Sequence, residues 1–235
     1  MKNIYISGTS SGLGKFLLKK IKNSKKFHRI KKNNINKDSI LIHSAFFKKK
    51  INENKKDFEL NYQQTLDLYN KIEKHCFKTI VFISTIDIYQ KNISRNSYIV
   101  LKKKLENKIK KKKNFYIFRC GFLIGKSMKK NSIYKLIRAK SKTKIPLSSK
   151  SSIYLTSYKD ILTAIKKIIK QKKIKNDIYN LVTKKKFYFK NFENKNIIFG
   201  DYQLNYRKIN NTKFEKNFGI KTQQVNKLIK ELEDI

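Results

Sequence analysis

The chain has 235 residues, 39% of them hydrophobic and 12% aromatic, which suits one folded domain with a small appended lobe and excludes a disordered chain. No apolar run approaches the roughly 20 residues of a membrane span, residues 1–6 are too short for a signal-peptide core, and two cysteines (Cys76, Cys120) without a CxxC or His-Cys cluster argue against a disulfide scaffold or a metal centre. A reduced, cytoplasmic setting is expected, and the formal net charge of +42, from 58 Lys plus Arg against 16 Asp plus Glu, is the one unusual quantity.

Residues 3–7 read as a short buried strand that ends at Gly8. Leu13, Phe16, Leu17, Leu18 and Ile21 then recur at helical spacing. Strand, glycine loop and helix form the setting that a phosphate-binding loop needs. Glycines allow a tight turn and close backbone approach, and the helix N-terminus offers free N–H groups to a pyrophosphate. Gly8, Ser10, Ser11, Gly12, Leu13 and Gly14 are the candidate residues, at a GxxxGxG spacing.

A second strand is expected at residues 27–30, Phe27-His28-Arg29-Ile30. No acidic residue stands there to take a ribose 2′-OH, and Arg29 suits a 2′-phosphate, which favours NADP over NAD. Residues 39–42 form a further strand leading to His43, Ser44 and Ala45, where small residues let the adenosine half of a cofactor pass near the backbone. His43 reads equally well as a strand-end histidine with an ordinary hydrogen bond. An amphipathic helix follows at 58–75, with Asn61 near its start, and then the clearest buried strand of the chain at 79–84. That strand delivers Ser84 and Thr85 at its C-terminal end, where ligands bind in open parallel sheets.

A helix over residues 97–112 sets Tyr98 and Lys102 one turn apart on one face. A cation beside a phenol favours the phenolate, and moving a pKa of ~10 to neutrality needs roughly 4 kcal/mol of differential stabilisation. A dinucleotide loop with a hydroxyl, a phenol and an ammonium amounts to a hydride-transfer site. Beyond it come a strand at 114–119 closing at Cys120-Gly121, a helix at 133–139, a linker holding the sole proline, Pro146, and a strand at 152–156. A helix at 160–170, a strand at 178–182 and a terminal helix at 223–232 complete the chain. The pattern is α/β: a Rossmann-like, doubly wound parallel sheet over residues 1–125, and a small C-terminal substrate-binding lobe over 126–235, interleaved with the last sheet elements.

Taken in order, these residues resemble the extended branch of the short-chain dehydrogenase/reductase superfamily, the NAD-dependent epimerase/dehydratase family. The resemblance runs from Ile4 to about Asn180 and rests on the glycine loop, His43-Ser44-Ala45, Asn61 with Thr65, Phe82 to Tyr89, the Tyr98/Lys102 pair, and Arg119 to Gly125. It implies that Tyr98 exchanges the substrate hydroxyl proton, that Lys102 holds the nicotinamide ribose and lowers the Tyr98 pKa, and that Thr85 hydrogen-bonds the reacting oxygen. It implies NAD or NADP as cofactor, an anionic nucleotide sugar as substrate, and a homodimer joined through helices at about 61–75 and 98–112. Only 35 residues separate Gly8 from His43, so one strand-helix unit usual in this branch is expected to be reduced or missing. Ile86-Asp87 stand where family dehydratases carry Asp-Glu, which argues against water elimination, and Phe122 stands where nucleotide-sugar epimerases carry Asn.

The lysine excess is spread along the whole chain beside abundant Ile, Asn, Phe and Tyr, which is the residue set of AT-rich codons. It reads as drift rather than a designed patch, so nucleic acid is not the expected partner, although the field favours anionic substrates on approach. The alternative is a non-catalytic protein that kept the fold, sensing a dinucleotide or associating with nucleic acid.

Overall fold

The computed structural model describes residues 2–27, 35, 38–46, 54–75, 77–90, 96–126, 128, 131–170, 173–192 and 196–233. Its centre is a six-stranded sheet, every strand parallel to its neighbours. The strands are β1 (Ile4–Ser7), β2 (Ser24–Lys26), β3 (Ile40–His43), β4 (Thr79–Thr85), β5 (Phe115–Cys120) and β10 (Asp177–Leu181), in spatial order β2-β1-β3-β4-β5-β10. Runs such as Ile40-Leu41-Ile42 and Ile80-Val81-Phe82-Ile83 are apolar at every position because both faces of the sheet are covered.

Alternate residues of each strand feed opposite cores. Ile4, Ile6, Ile40, Ile42, Val81, Ile83 and Phe118 meet Leu13 and Leu17 of α1 (Gly12–Lys20) and Ile161, Ile165 and Ile168 of α5 (Tyr158–Ile169). Tyr5, Leu41, Ile80, Phe82 and Ile117 meet Tyr69 and Ile72 of α2 (Lys55–Glu73) and Leu105 and Ile109 of α3 (Ser97–Ile109). Helices on both faces of one parallel sheet are the doubly wound arrangement. The chain passes from β1 through β2 to β3, so strand order reverses at β1, and the crevice opens at the C-terminal ends of β1 and β3.

A further core lies beyond the sheet. Ile86, Ile124, Ile133 and Leu136 of α4 (Ser132–Arg138), Ile145 and Leu147 of β7 (Thr143–Leu147), Leu155, and Leu228, Ile229 and Leu232 of the last helix pack together there. Around this core, β6 (Phe122–Ile124) pairs with β9 (Leu155–Ser157), β8 (Ser152–Ile153) with β11 (Phe187–Tyr188), and β7 with β12 (Ile197–Tyr202). The second half of the sequence also returns to the sheet: α5, β10 and the phenylalanines of α6 (Thr212–Phe218) belong to the α1-side core. The last helix, α7, spans Val225–Glu233. No described helix is long and apolar enough to cross a membrane.

Several expectations need correction. The second strand forms at Ser24–Lys26, ahead of residues 27–30, and Arg29 lies outside the described residues. The strand expected at 152–156 is split at Tyr154, whose carbonyl turns to accept the Phe122 N–H at 2.8 Å. Pro146 sits in β7 rather than in a linker; β7 has only β12 beside it among the described strands, so a missing donor on its other side is tolerated.

Candidate active site

The C-terminal ends of β1, β3, β4 and β5 open into a cleft of about 680 Å³. Its floor is the first loop. Gly8 and Gly12 have φ of +73° and +56°, a region in which a side chain is strained. A Cβ at Gly14 would stand 2.1 Å from the Gly8 carbonyl oxygen, and one at Gly8 would stand 2.8 Å from Ala45 Cα. The loop is therefore a close-packed cradle that only glycine fills. Ser11 caps α1 without a side-chain hydrogen bond, and the first turn of α1 has no acidic residue, so its N–H groups face the cleft under a positive helix end. Thr9 Oγ1 beside the loop and Ser84 Oγ on the cleft wall are buried polar atoms without a hydrogen-bond partner among the described residues. These features fit a bound dinucleotide diphosphate.

The end of β3 is tied to the end of β1 through Ser7. The Ser7 hydroxyl accepts from the N–H groups of Ser44 and Ala45, both at 3.2 Å, and lies 2.7 Å from His43 Nδ1. With two donors already on the oxygen, its own proton is assigned to Nδ1. Ser44 Oγ in turn donates to the Ser7 carbonyl at 2.6 Å. Ser44 and Ala45 thereby reach the cleft wall, whereas His43 does not. Its ring is 1% exposed and stacks on Phe82 at 5.2 Å. Burial, reinforced by Lys102, pushes its pKa down to about 3, so it is neutral. Of the two readings of His43, the hydrogen-bonded strand-end histidine describes its surroundings. Asn61 is likewise behind the wall: its amide donates to Ser97 Oγ at 3.3 Å and its carbonyl accepts from Thr65 Oγ1 at 2.7 Å, while Gln64, Thr65 and Leu68 line the cleft. It ties α2 to the start of the helix that carries Tyr98.

Thr85, Tyr98 and Lys102 converge on the cleft. Thr85 closes β4, and its Oγ1 accepts from the Asp87 N–H at 3.1 Å and hydrogen-bonds the Tyr98 phenol. Tyr98 and Lys102 share one face of α3, as a four-residue spacing requires. The Lys102 ammonium donates to the Ile83 carbonyl at 2.6 Å and stands 4.2, 4.7 and 5.7 Å from the ring centres of Phe46, Phe82 and Tyr98. Desolvation pulls its pKa down to about 7. The anticipated lowering of the Tyr98 pKa is corrected here. Burial first, then the Asp87 carboxylate, hold the phenol above its ordinary value, and the Thr85 hydrogen bond only partly offsets them. The Tyr98 phenol is therefore protonated at neutral pH.

Other residues of the cleft were not among the site residues expected from the sequence. Tyr158, the first residue of α5, packs its ring where a Cβ on Gly125 would stand, and its hydroxyl lies 3.3 Å from a Cβ built at Gly12. Cys120, at the end of β5, is buried against Lys102, and desolvation pushes its thiol up to about 12. Asp87 accepts from the Tyr206 phenol, and Gln90 Nε2 donates to both Tyr206 Oη at 3.1 Å and Asp87 Oδ1 at 3.4 Å. Only a position two residues beyond Thr85 hinted at its place.

No family profile matches the sequence, and no curated protein matches it. Solved structures do. A Pseudomonas aeruginosa protein designated RMD, solved with NADPH, superposes at a TM-score of 0.73 with 14% identity, covering 99% of each chain. MoeE5, solved with UDP-glucose and NAD, gives 0.77 with 12% identity over 98% of this chain and 97% of its own. The UDP-glucuronic acid 4-epimerase of Bacillus cereus, with UDP-glucuronic acid and NAD, gives 0.74 with 13% identity over 100% and 98%. The end-to-end superposition and the parallel six-stranded sheet show that the chain shares the Rossmann-like fold of these proteins.

Proposed function

We propose that the protein is an NAD(P)-dependent enzyme that reduces, oxidises or epimerises the sugar of a nucleotide-linked sugar. The observation that carries this reading is the meeting of Thr85, Tyr98 and Lys102 in one cleft with the Gly8–Gly14 loop. Similarity to structures holding NADPH, NAD and UDP-linked sugars supports the cofactor and substrate classes. In this reading the first loop and the α1 N-terminus take the pyrophosphate, Ser44 and Ala45 border the adenosine half, and Tyr98 and Lys102 hold the nicotinamide ribose. Arg29 favours a 2′-phosphate, and hence NADP.

The bound nicotinamide supplies or accepts a hydride. The chain handles the proton. Tyr98, kept protonated by burial and by Asp87, gives its proton to a sugar carbonyl oxygen, and Thr85 aligns that oxygen through its hydroxyl. In the reverse direction the phenol must lose its proton, and the nearby Lys102 ammonium favours that charge. Reduction and epimerisation need the same two transfers. Tight retention of the nucleotide through turnover marks epimerisation, and stoichiometric consumption of NADPH marks reduction.

The test is nucleotide binding and turnover in Tyr98→Phe. We expect NADPH to bind only a few-fold more weakly, through loss of one ribose hydrogen bond, while kcat falls ~10²–10⁴-fold, the range for loss of a general acid. Full turnover in Tyr98→Phe would remove Tyr98 from the chemistry. The family resemblance adds a homodimer through the outer faces of α2 and α3, where Leu60 is 56% exposed and Phe58 and Tyr62 stack. Light scattering at micromolar concentration is expected to give twice the chain mass, and a monomer would dismiss this assembly.

A further inference from the structure

Among the described residues lining the cleft, Asp87 is the one acid and Lys102 the one base. They are presented differently. The Lys102 ammonium is held by the Ile83 carbonyl and enclosed by the rings of Phe46 and Phe82. Asp87 lies on the 3-10 helix Ile86–Tyr89 that continues β4. Its carboxylate is 7% exposed and is braced from the far lobe, by Tyr206 from the segment between β12 and α6, and by Gln90. The backbone of Tyr206 is held in turn by Lys186 Nζ, and the neighbouring Asn205 accepts from the Ser152 N–H at 3.1 Å. The carboxylate is thus a fixed negative charge at the junction of sheet and lobe, and its field reaches the Tyr98 phenol.

We propose that Asp87, braced by Tyr206 and Gln90, makes the reacting end of the cleft selective for a neutral, hydroxyl-bearing sugar and closes it to a sugar that carries a carboxylate. This deepens the nucleotide-sugar reading above and rests on it. A sugar hydroxyl donates to a carboxylate in a charge-assisted hydrogen bond. A uronate instead brings a like charge to the largely buried Asp87 carboxylate. At ~6 Å and an effective dielectric constant of ~20, that repulsion weakens binding by on the order of 10- to 100-fold. Among the described residues lining the cleft, the cation that could compensate, Lys102, is already engaged by a backbone carbonyl and by ring faces. The chain's large positive charge draws in the nucleotide diphosphate from outside, so the selection takes place at the sugar alone.

The probes are UDP, UDP-glucose and UDP-glucuronic acid, titrated calorimetrically into the NADPH-loaded chain at fixed salt; the two sugars differ only at C6. Wild type is expected to bind UDP-glucuronic acid at least ~10-fold more weakly than UDP-glucose, and Asp87→Asn to narrow the ratio to within ~3-fold, with UDP itself binding both proteins alike. Tyr206→Phe removes a brace but keeps the carboxylate, and the discrimination is expected to persist in it. Thermal unfolding of both variants confirms that they are folded. Uronate binding as tight as glucose binding in wild type, or a ratio untouched by Asp87→Asn, overturns the role of Asp87 alone. Failure of wild type to bind UDP, either UDP-sugar, or GDP- and dTDP-linked hexoses overturns the nucleotide-sugar reading, and this inference with it.

Discussion

Lys102 is a charge set where charge is unfavourable. Its side chain is 3% exposed and roofed by aromatic rings, and its ammonium donates to the Ile83 carbonyl. Moving its pKa from 10.5 in the unfolded chain to about 7 in the fold means that the unfolded state binds more protons between those values. Stability contributed by this residue is therefore present above pH 10.5 and is lost as pH falls toward 7. Lys102→Met removes the buried charge but leaves the Ile83 carbonyl without its donor, a partial offset. A net gain of ~1–2 kcal/mol is expected at pH 7, read as a Tm higher by roughly 4 °C and a flatter stability curve between pH 7 and 10. On the proposed function, hydride transfer should be lost in the same variant, the trade expected where a strained group serves activity at the cost of stability. An unchanged Tm and an unchanged pH slope would mean that Lys102 is solvated in the folded chain.

At the scale of elements, the helix carrying Tyr98 is anchored from behind. Glu106 of α3 receives Arg119 of β5 through Nε and Nη2, the shortest contact being 2.7 Å, with side-chain exposures of 1% and 16%. Arg119 Nη1 also donates to Tyr89 Oη at 2.8 Å, and that phenol donates to Asn180 of β10 at 2.8 Å. One ion pair thus connects the helix carrying Tyr98, the 3-10 helix after β4, and the last two strands of the sheet. Replacing Glu106 by Gln leaves Arg119 buried without its counter-charge, and ~3–5 kcal/mol of stability should be lost, measured as a fall in the urea midpoint. A loss below 1 kcal/mol would show the pair to be exchangeable with water. Elements of this half were legible because each is locally consistent. β1, β3, β4 and β5 are continuous apolar runs, and α2, α3 and α5 keep a helical period. β6, β12 and α6 were missed because tertiary contact creates them. β12 contains Gly200 and Asp201 and holds its place through β7, while α6 has seven residues and stops at Gly219 in the left-handed region.

At the scale of the whole molecule, the charge surplus is nowhere neutralised internally. Ion pairs such as Lys78–Asp38, Lys159–Glu231 and Lys213–Asp177 occupy acids that are far outnumbered. A generic affinity for polyanions is expected at low salt. Single-stranded DNA or heparin should bind at 50 mM salt, and binding should fall by on the order of 10³-fold or more by 200 mM if about six or more contacts form. NADPH should not compete, because the surface and the cleft are separate. Tight binding that persists at 200 mM salt would instead favour the nucleic-acid-associated alternative. The candidate site was legible for a different reason from the fold: its motifs fall at strand ends and on one helix face, where sequence order fixes position. What sequence could not convey is which neighbour dominates a given group. Spacing brought Lys102 beside Tyr98, but the enclosure by Phe46 and Phe82 and the approach of Tyr206 to Asp87 depend on contacts across 20 to 119 residues.

Among the described strands β2 is terminal in the sheet, only three residues long and paired on one side to β1. Two of its three residues, Lys25 and Lys26, are exposed lysines. A brief, cationic margin gives another copy of the chain little to pair with and repels it on approach. Such a margin works against edge-to-edge growth into fibres.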